Sequence, residues 1–222
     1  MTMASDIASR IQEIKSALPQ GVELTAVSKF HPSEAVMEAY AAGQRVFGES
    51  RAQELQEKAA ALPTDIEWHF IGHLQTNKVK QVVAVADMIQ SIDSLRLLKA
   101  VSDAAVKAGR RVDVLLQVHV AREETKTGFL PDEMEQAARE VLAMPGVRLR
   151  GVMGMASNTD DEARVRADFK AIRGCFDALR LGAAAGQPHF DTVSMGMSHD
   201  RALAIEEGST MVRIGSDIFG ER

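Results

Sequence analysis

Short apolar runs alternate along this 222-residue chain with longer stretches in which apolar residues recur every three to four positions. The first pattern reads as buried strand and the second as amphipathic helix. Strands are predicted at 22–28, 45–48, 67–71, 87–91, 112–120, 148–153, 189–194 and 210–214. Helices are predicted between them at 33–42, 50–61, 75–84, 94–108, 131–143, 160–180 and 199–207. Ile7, Ile11, Ile14 and Leu18 share one face, so 4–18 reads as an opening helix, ended by Pro19 and Gly21. Gly43, Gly109, Gly146 and Gly208 stand where helices should stop. Eight strands with helices between them, in a chain of this size, predict a single (β/α)8 barrel domain over residues 1–222. An open doubly wound sheet is the competing architecture. No Gly-x-Gly-x-x-Gly follows the first strand, which argues against its dinucleotide-binding form. No eighth helix follows the last strand, and the opening helix is placed to cover that gap.

A barrel makes a specific demand: ligand and catalytic residues belong just after the strand ends, with phosphate held in the loops after strands seven and eight. Lys29 ends the first apolar run, Leu24-Thr25-Ala26-Val27-Ser28-Lys29, and Pro32 stops it. Burial there favours the neutral amine, the form that attacks a carbonyl. The competing reading is a solvated loop lysine. After strand seven comes Ser194-Met195-Gly196-Met197-Ser198, and after strand eight Gly215-Ser216 with Gly220 close behind. Glycine lets backbone N–H groups approach an anion and serine adds a hydroxyl donor. Ser198 stands where it would N-cap the following helix. Ordinary turn and capping residues would read the same way, but both loops fall at the two expected positions. Arg213 lies inside the last apolar strand and needs a partner, either a buried acid such as Glu49 or Asp191 or a ligand in the barrel mouth. His69 and His73 are four apart on a segment that reads as strand and loop, which disfavours a metal pair; His73 and Asn77 are expected at the site rim. Met153 and Met155 follow the sixth strand and suit packing against a flat ligand. Ser91 and Asp93 follow the fourth strand, and Glu123 and Lys126 lie in a charged loop after the fifth that reads as a solvated turn.

Composition narrows the classes. Apolar residues make up 45% of the chain, enough for a sizeable core. Lys plus Arg number 26 against 31 Asp plus Glu, a net charge of −5, which argues against a nucleic-acid partner. Cys175 is the single cysteine and points to a reducing compartment. The start lacks a secretory pattern, and no apolar run reaches the roughly 20 residues of a membrane span. A soluble, cytoplasmic protein with no membrane partner is expected.

Ala26-Val27-Ser28-Lys29, Phe47-Gly48-Glu49, Trp68-His69-Phe70-Ile71-Gly72-His73-Leu74-Gln75, Ser194-Met195-Gly196-Met197-Ser198 and Val212-Arg213-Ile214-Gly215-Ser216 occur in this order and spacing. Together they make the chain resemble, over nearly its whole length, the pyridoxal phosphate homeostasis proteins. The resemblance implies a fold type III PLP barrel, like the N-terminal domain of alanine racemase without its second domain. It implies that Lys29 holds pyridoxal 5'-phosphate (PLP) as the internal aldimine and that Ser198, Gly215 and Ser216 bind the phosphate. Arg213 would face the pyridine nitrogen and disfavour its protonation, making the cofactor a weaker electron sink. Ser50, Met195 and His73 complete the expected cofactor-binding set. Ser50 stands where the family commonly has Asn, and Phe30-His31 replaces a more frequent Thr-Lys. The resemblance suggests a monomer, with PLP as ligand and apo PLP-dependent enzymes as recipients.

A carrier that manages PLP supply is the favoured function, with no dedicated catalysis. The alternative is a PLP enzyme such as an amino-acid racemase. A two-base racemase needs an acid–base group opposite the lysine. The only tyrosine, Tyr40, falls in the first helix after the lysine, and Cys175 is also on a helix. His73 or His199 could substitute, though the sequence places neither opposite Lys29. A third reading is a PLP-free phosphate-binding barrel acting on sugar phosphates.

Overall fold

The computed structural model describes residues 4–120 and 127–220; the charged loop containing Glu123 and Lys126 lies outside them. Its strands are β1 (Glu23–Val27), β2 (Val46–Glu49), β3 (Glu67–Phe70), β4 (Met88–Ile92), β5 (Val112–Val118), β6 (Val147–Gly154), β7 (Thr192–Ser194) and β8 (Met211–Ile214). All pair in parallel, in sequence order, and β8 returns to β1 with Thr25 opposite Arg213, so the sheet is a closed barrel. Closure rules out the open doubly wound sheet. The helices are α1 (Ala4–Ala17), α2 (Ser33–Ala41), α3 (Ala52–Ala61), α4 (Val79–Val83), α5 (Leu95–Lys107), α6 (Met134–Leu142), α7 (Glu162–Leu181), α8 (Arg201–Glu206) and α9 (Ser216–Phe219).

Three local departures from the pattern have physical causes. The stretch expected as strand from 189 begins pairing only at Thr192, because Phe190 N closes a turn on Gln187 O before the chain reaches the sheet. The helix expected at 75–84 opens as a 3-10 turn over Thr76–Lys78 and becomes α-helical only at Val79. The last loop contains α9, whose four residues between two glycines carry no readable helical period.

Alternation along the strands separates two cores. Phe47, Trp68, Phe70, Ile89, Val114, Val152 and Val193 face the helix layer and join its large apolar cluster. Met88, Leu115, Met153 and Met211 point the other way and pack together inside the barrel. Period-two geometry makes these assignments mutually exclusive for neighbouring residues. At the end opposite the strand termini, Asp113 binds Arg148 at 2.6 Å and Arg150 at 2.7 Å, and Arg150 reaches on to Asp191 at 3.1 Å. The opening helix buries Ile7, Ile11 and Ile14, lies against α2 and α9, and Arg10 donates to Ile218 O at 3.2 Å. It thus covers the barrel beside β8, where the four-residue α9 alone follows the last strand among the described residues.

Cys175 is buried in α7, and burial pushes its thiol up. Only the thiolate reacts with alkylating agents. Native protein in mildly alkaline buffer is therefore expected to resist iodoacetamide, while unfolded protein labels stoichiometrically by mass spectrometry. Rapid labelling of the native state would contradict the packing of α7.

Candidate functional site

A cavity of about 600 Å³ opens at the C-terminal ends of the strands. Each part of its wall follows a strand directly. Val27, Lys29 and His31 come from the end of β1, Ser50 from β2, Ile71 and Gly72 from β3, and Met155 from β6. Met197, Ser198 and His199 follow β7; Arg213 lies in β8, and Gly215, Ser216 and Gly220 follow it. A Cβ on Gly215 would stand 3.2 Å from Val27 O, and one on Gly72 only 2.3 Å from Ser50 O. The wall is therefore drawn in to backbone contact at both places.

Lys29 is held from both sides. Ser28 Oγ donates to Glu49 Oε1 at 2.7 Å, and Lys58 Nζ donates to Ser28 O at 2.8 Å. Lys58 also bridges Glu49 Oε1 at 2.6 Å and Glu54 Oε1 at 2.7 Å. Glu54 Oε1 in turn accepts from Phe30 N at 2.7 Å. Phe30 has φ of 68°, the left-handed region that a non-glycine residue adopts at a cost of about 1–3 kcal/mol. The Glu54 contact and Arg51, 4.4 Å over the Phe30 ring, hold it there. Glu49 is fully buried; burial pushes its carboxyl up, and the Lys58 ammonium works against that shift.

Arg213 is anchored by neutral oxygens of the wall. Nη1 donates to Ser194 O at 2.9 Å and Ser194 Oγ at 2.7 Å, and Nη2 to Gly154 O at 3.0 Å. The expected acid partners are engaged elsewhere: Glu49 with Lys58 and Asp191 with Arg150. Burial pulls the Arg213 guanidinium down to about 10, with Asp200 opposing, so it stays cationic at neutral pH. This leaves a fixed positive fork bordering the cavity.

Six of the eight expected residues meet here: Lys29, Ser50, Ser198, Arg213, Gly215 and Ser216. Two do not. Met195 is fully buried in the helix-layer core, because Ser194 points into the barrel and its neighbour must point away. His73 binds Asp93 at 3.0 Å and borders, with Asn77, a separate hollow beside the mouth. Ser198 reaches the cavity but does not cap the next helix. Asp200 takes the N-cap position of α8, its Oδ1 accepting from Met197 N at 2.6 Å. Of the two methionines after β6, Met155 lines the cavity and Met153 sits inside the barrel. Ser91 donates to Gly72 O at 2.5 Å and shapes the wall from behind. Tyr40 binds Asp65 at 2.7 Å on α2. His199 and His31 place two imidazoles on the cavity, and His31 stacks on Phe219 with centroids 5.0 Å apart. The sequence reading missed the Glu49–Lys58–Glu54 clamp. Its one available signal was Glu54 and Lys58 at helical i,i+4 spacing.

A primary amine, two hydroxyls beside a glycine and a buried guanidinium on one cavity form a donor set suited to a phosphorylated aldehyde with a ring acceptor. The alanine racemase N-terminal domain model matches residues 4–222. The pyridoxal phosphate homeostasis protein of Pasteurella multocida is 38% identical over 231 aligned positions, covering 100% of this chain and 98% of the relative. That of Escherichia coli is 36% identical, covering 98% and 97%. Among solved structures, PipY of Synechococcus elongatus with PLP bound superposes with a TM-score of 0.87 at 38% identity, covering 96% of this chain and 100% of PipY. Alanine racemase from Enterococcus faecalis (E. faecalis) shares the fold, with a TM-score of 0.78 at 18% identity over 99% of this chain and 58% of that one.

Proposed function

Because the chain belongs to the alanine racemase N-terminal domain family, and within it to the pyridoxal phosphate homeostasis proteins, we propose that it binds PLP in this cavity and serves its intracellular supply as a carrier. The observation that carries the reading is the convergence of Lys29, Ser198, Gly215, Ser216 and Arg213 on one space. Lys29 would hold the cofactor at its aldehyde through Nζ, the primary amine on the cavity. Ser198, Ser216 and the backbone at Gly215 receive the phosphate. Arg213, a donor that stays charged, would face the ring nitrogen and disfavour its protonation. Bound PLP supplies carbonyl and electron-sink chemistry, and this arrangement restrains the second. The side chains hold and orient the ring without a tyrosine base at the cavity. The recipients are apo PLP-dependent enzymes, reached through the open mouth.

The test is direct. Added PLP should give a visible absorption band, borohydride should fix one cofactor per chain, and peptide mapping should find it on Lys29. A label on any other lysine would overturn the site, and a protein that takes up no PLP would overturn the reading. The racemase alternative draws on His31 and His199, the two imidazoles on the cavity. Exchange of the α-proton of alanine or serine in deuterated water at enzymatic rates would favour it, and absence of exchange favours the carrier.

A further inference from the structure

A line of hydrogen bonds runs through the barrel interior, from the cavity to the opposite end. Arg213 Nη1 donates to Ser194 Oγ at 2.7 Å, and Ser194 Oγ donates to Gln90 Oε1 at 2.7 Å. Gln90 Nε2 meets His69 Nδ1 at 2.9 Å, and His69 Nε2 meets Glu67 Oε1 at 3.1 Å. The two ends, together with the orientation of the Gln90 amide, fix the direction of every link. A guanidinium can only donate, and an ionised carboxylate can only accept. His69 therefore carries its proton on Nε2, toward Glu67, which leaves Nδ1 to accept from the Gln90 amide. The Gln90 carbonyl then faces the Ser194 hydroxyl, whose oxygen accepts from Arg213. The His69 contact holds the Glu67 carboxyl below its usual range, consistent with an ionised end.

Three members of the line, His69, Gln90 and Ser194, have no exposed surface. The apolar residues inside the barrel are Met88, Leu115, Met153 and Met211, and Gln90 Nε2 also touches Met211 Sδ at 3.2 Å. Aligned hydrogen bonds in such low-dielectric surroundings polarise one another, and a break in one link is felt at the others. Glu67 differs from the rest: its side chain is 48% exposed at the far end of the barrel. Glu67 opens β3 and is not among the residues that line the cavity.

We propose that Ser194, Gln90, His69 and Glu67 are positioning residues for Arg213, and that Glu67 biases through them the charge presented to a ligand's ring nitrogen. The proposal rests on the PLP reading of the cavity. Gln90→Met suits the methionine-rich interior and removes both central links. It should shift the absorption maximum of bound PLP and raise its Kd about tenfold, the equivalent of one charge-assisted hydrogen bond. Glu67→Gln keeps an acceptor, removes the charge, and should shift the maximum in the same direction by less, with the melting temperature near wild type. Glu67→Asp should restore the wild-type maximum. A role confined to barrel stability would move the melting temperature of Gln90→Met and leave the spectrum of Glu67→Gln unchanged.

If both variants bind PLP with the wild-type maximum and Kd, the proposal is wrong. Should Gln90→Met fail to fold, Glu67→Gln decides alone. Nitrogen NMR of the protein without added PLP separates the two readings. It should find the His69 Nε2–H tautomer and slowly rotating Arg213 Nη groups in wild type, with Arg213 loosened in Gln90→Met. A protein showing these signals but binding no PLP would fail the cofactor reading and keep the positioning line. A His69 Nδ1–H tautomer would break the line whatever the cavity binds.

Discussion

Lys29→Arg is expected to abolish borohydride-fixable cofactor completely while leaving the fold intact. Arginine keeps the positive charge and most of the length, but its guanidinium does not deprotonate under these conditions and cannot serve as the nucleophile. Lys29→Ala should give the same loss of covalent label. Any PLP still bound to either variant would be held by the phosphate and ring contacts alone and should leave on dialysis. Both variants test the same bond from opposite sides, since one preserves charge and the other removes it. Persistence of a covalent label in Lys29→Arg would mean that another lysine does the work.

The second large effect is on stability. Lys58→Met should cost about 3–5 kcal/mol, the range seen when one partner of a buried ion pair is removed. Glu49 is fully buried, and its Oε2 has no hydrogen-bond partner among the described residues, so Lys58 supplies most of its compensation. The double variant Glu49→Gln with Lys58→Met should recover most of the loss, because no buried charge is then left alone. The pH dependence has a definite sign. Burial already raises the Glu49 carboxyl, and losing Lys58 raises it further. A carboxyl raised in the folded state disfavours folding once pH exceeds its unfolded value. The Lys58→Met deficit should therefore be largest at neutral pH and shrink as the solution is acidified toward the ordinary carboxylate range. Denaturant melts at several pH values measure this, and a deficit that grows on acidification would contradict the assigned geometry. The same variant removes one of the two hydrogen bonds accepted by Ser28 O and the Lys58 contact of Glu54, so the loop carrying Lys29 should label more slowly with PLP.

The strands and the cavity wall were legible for one reason: both are written locally. Each strand is a short apolar run, and Lys29, Ser198, Gly215 and Ser216 stand directly after such runs, where a barrel gathers its ligand contacts. Met195 shows the limit of that logic. Adjacency to the site is not enough, because alternation sends Ser194 inward and Met195 outward. His73 was read as rim from its position after β3, but its loop carries it to Asp93 instead. The interior line was invisible in principle, since Glu67 and His69, Gln90, Ser194 and Arg213 sit on four different strands. Only closure of the barrel makes them neighbours.

That closure has a consequence for the order of events during synthesis. Thr25 pairs with Arg213 across the seam between β1 and β8, so the first and last strands of the barrel build the same wall. A nascent chain that has presented Lys29 still lacks Gly215, Ser216 and Arg213 until its last strand leaves the ribosome. Contacts of such high sequence separation form late and slowly. The cavity wall is thus closed only when β8 docks on β1, and on the proposed PLP reading an amine exposed earlier would lack the phosphate and ring contacts that retain the cofactor.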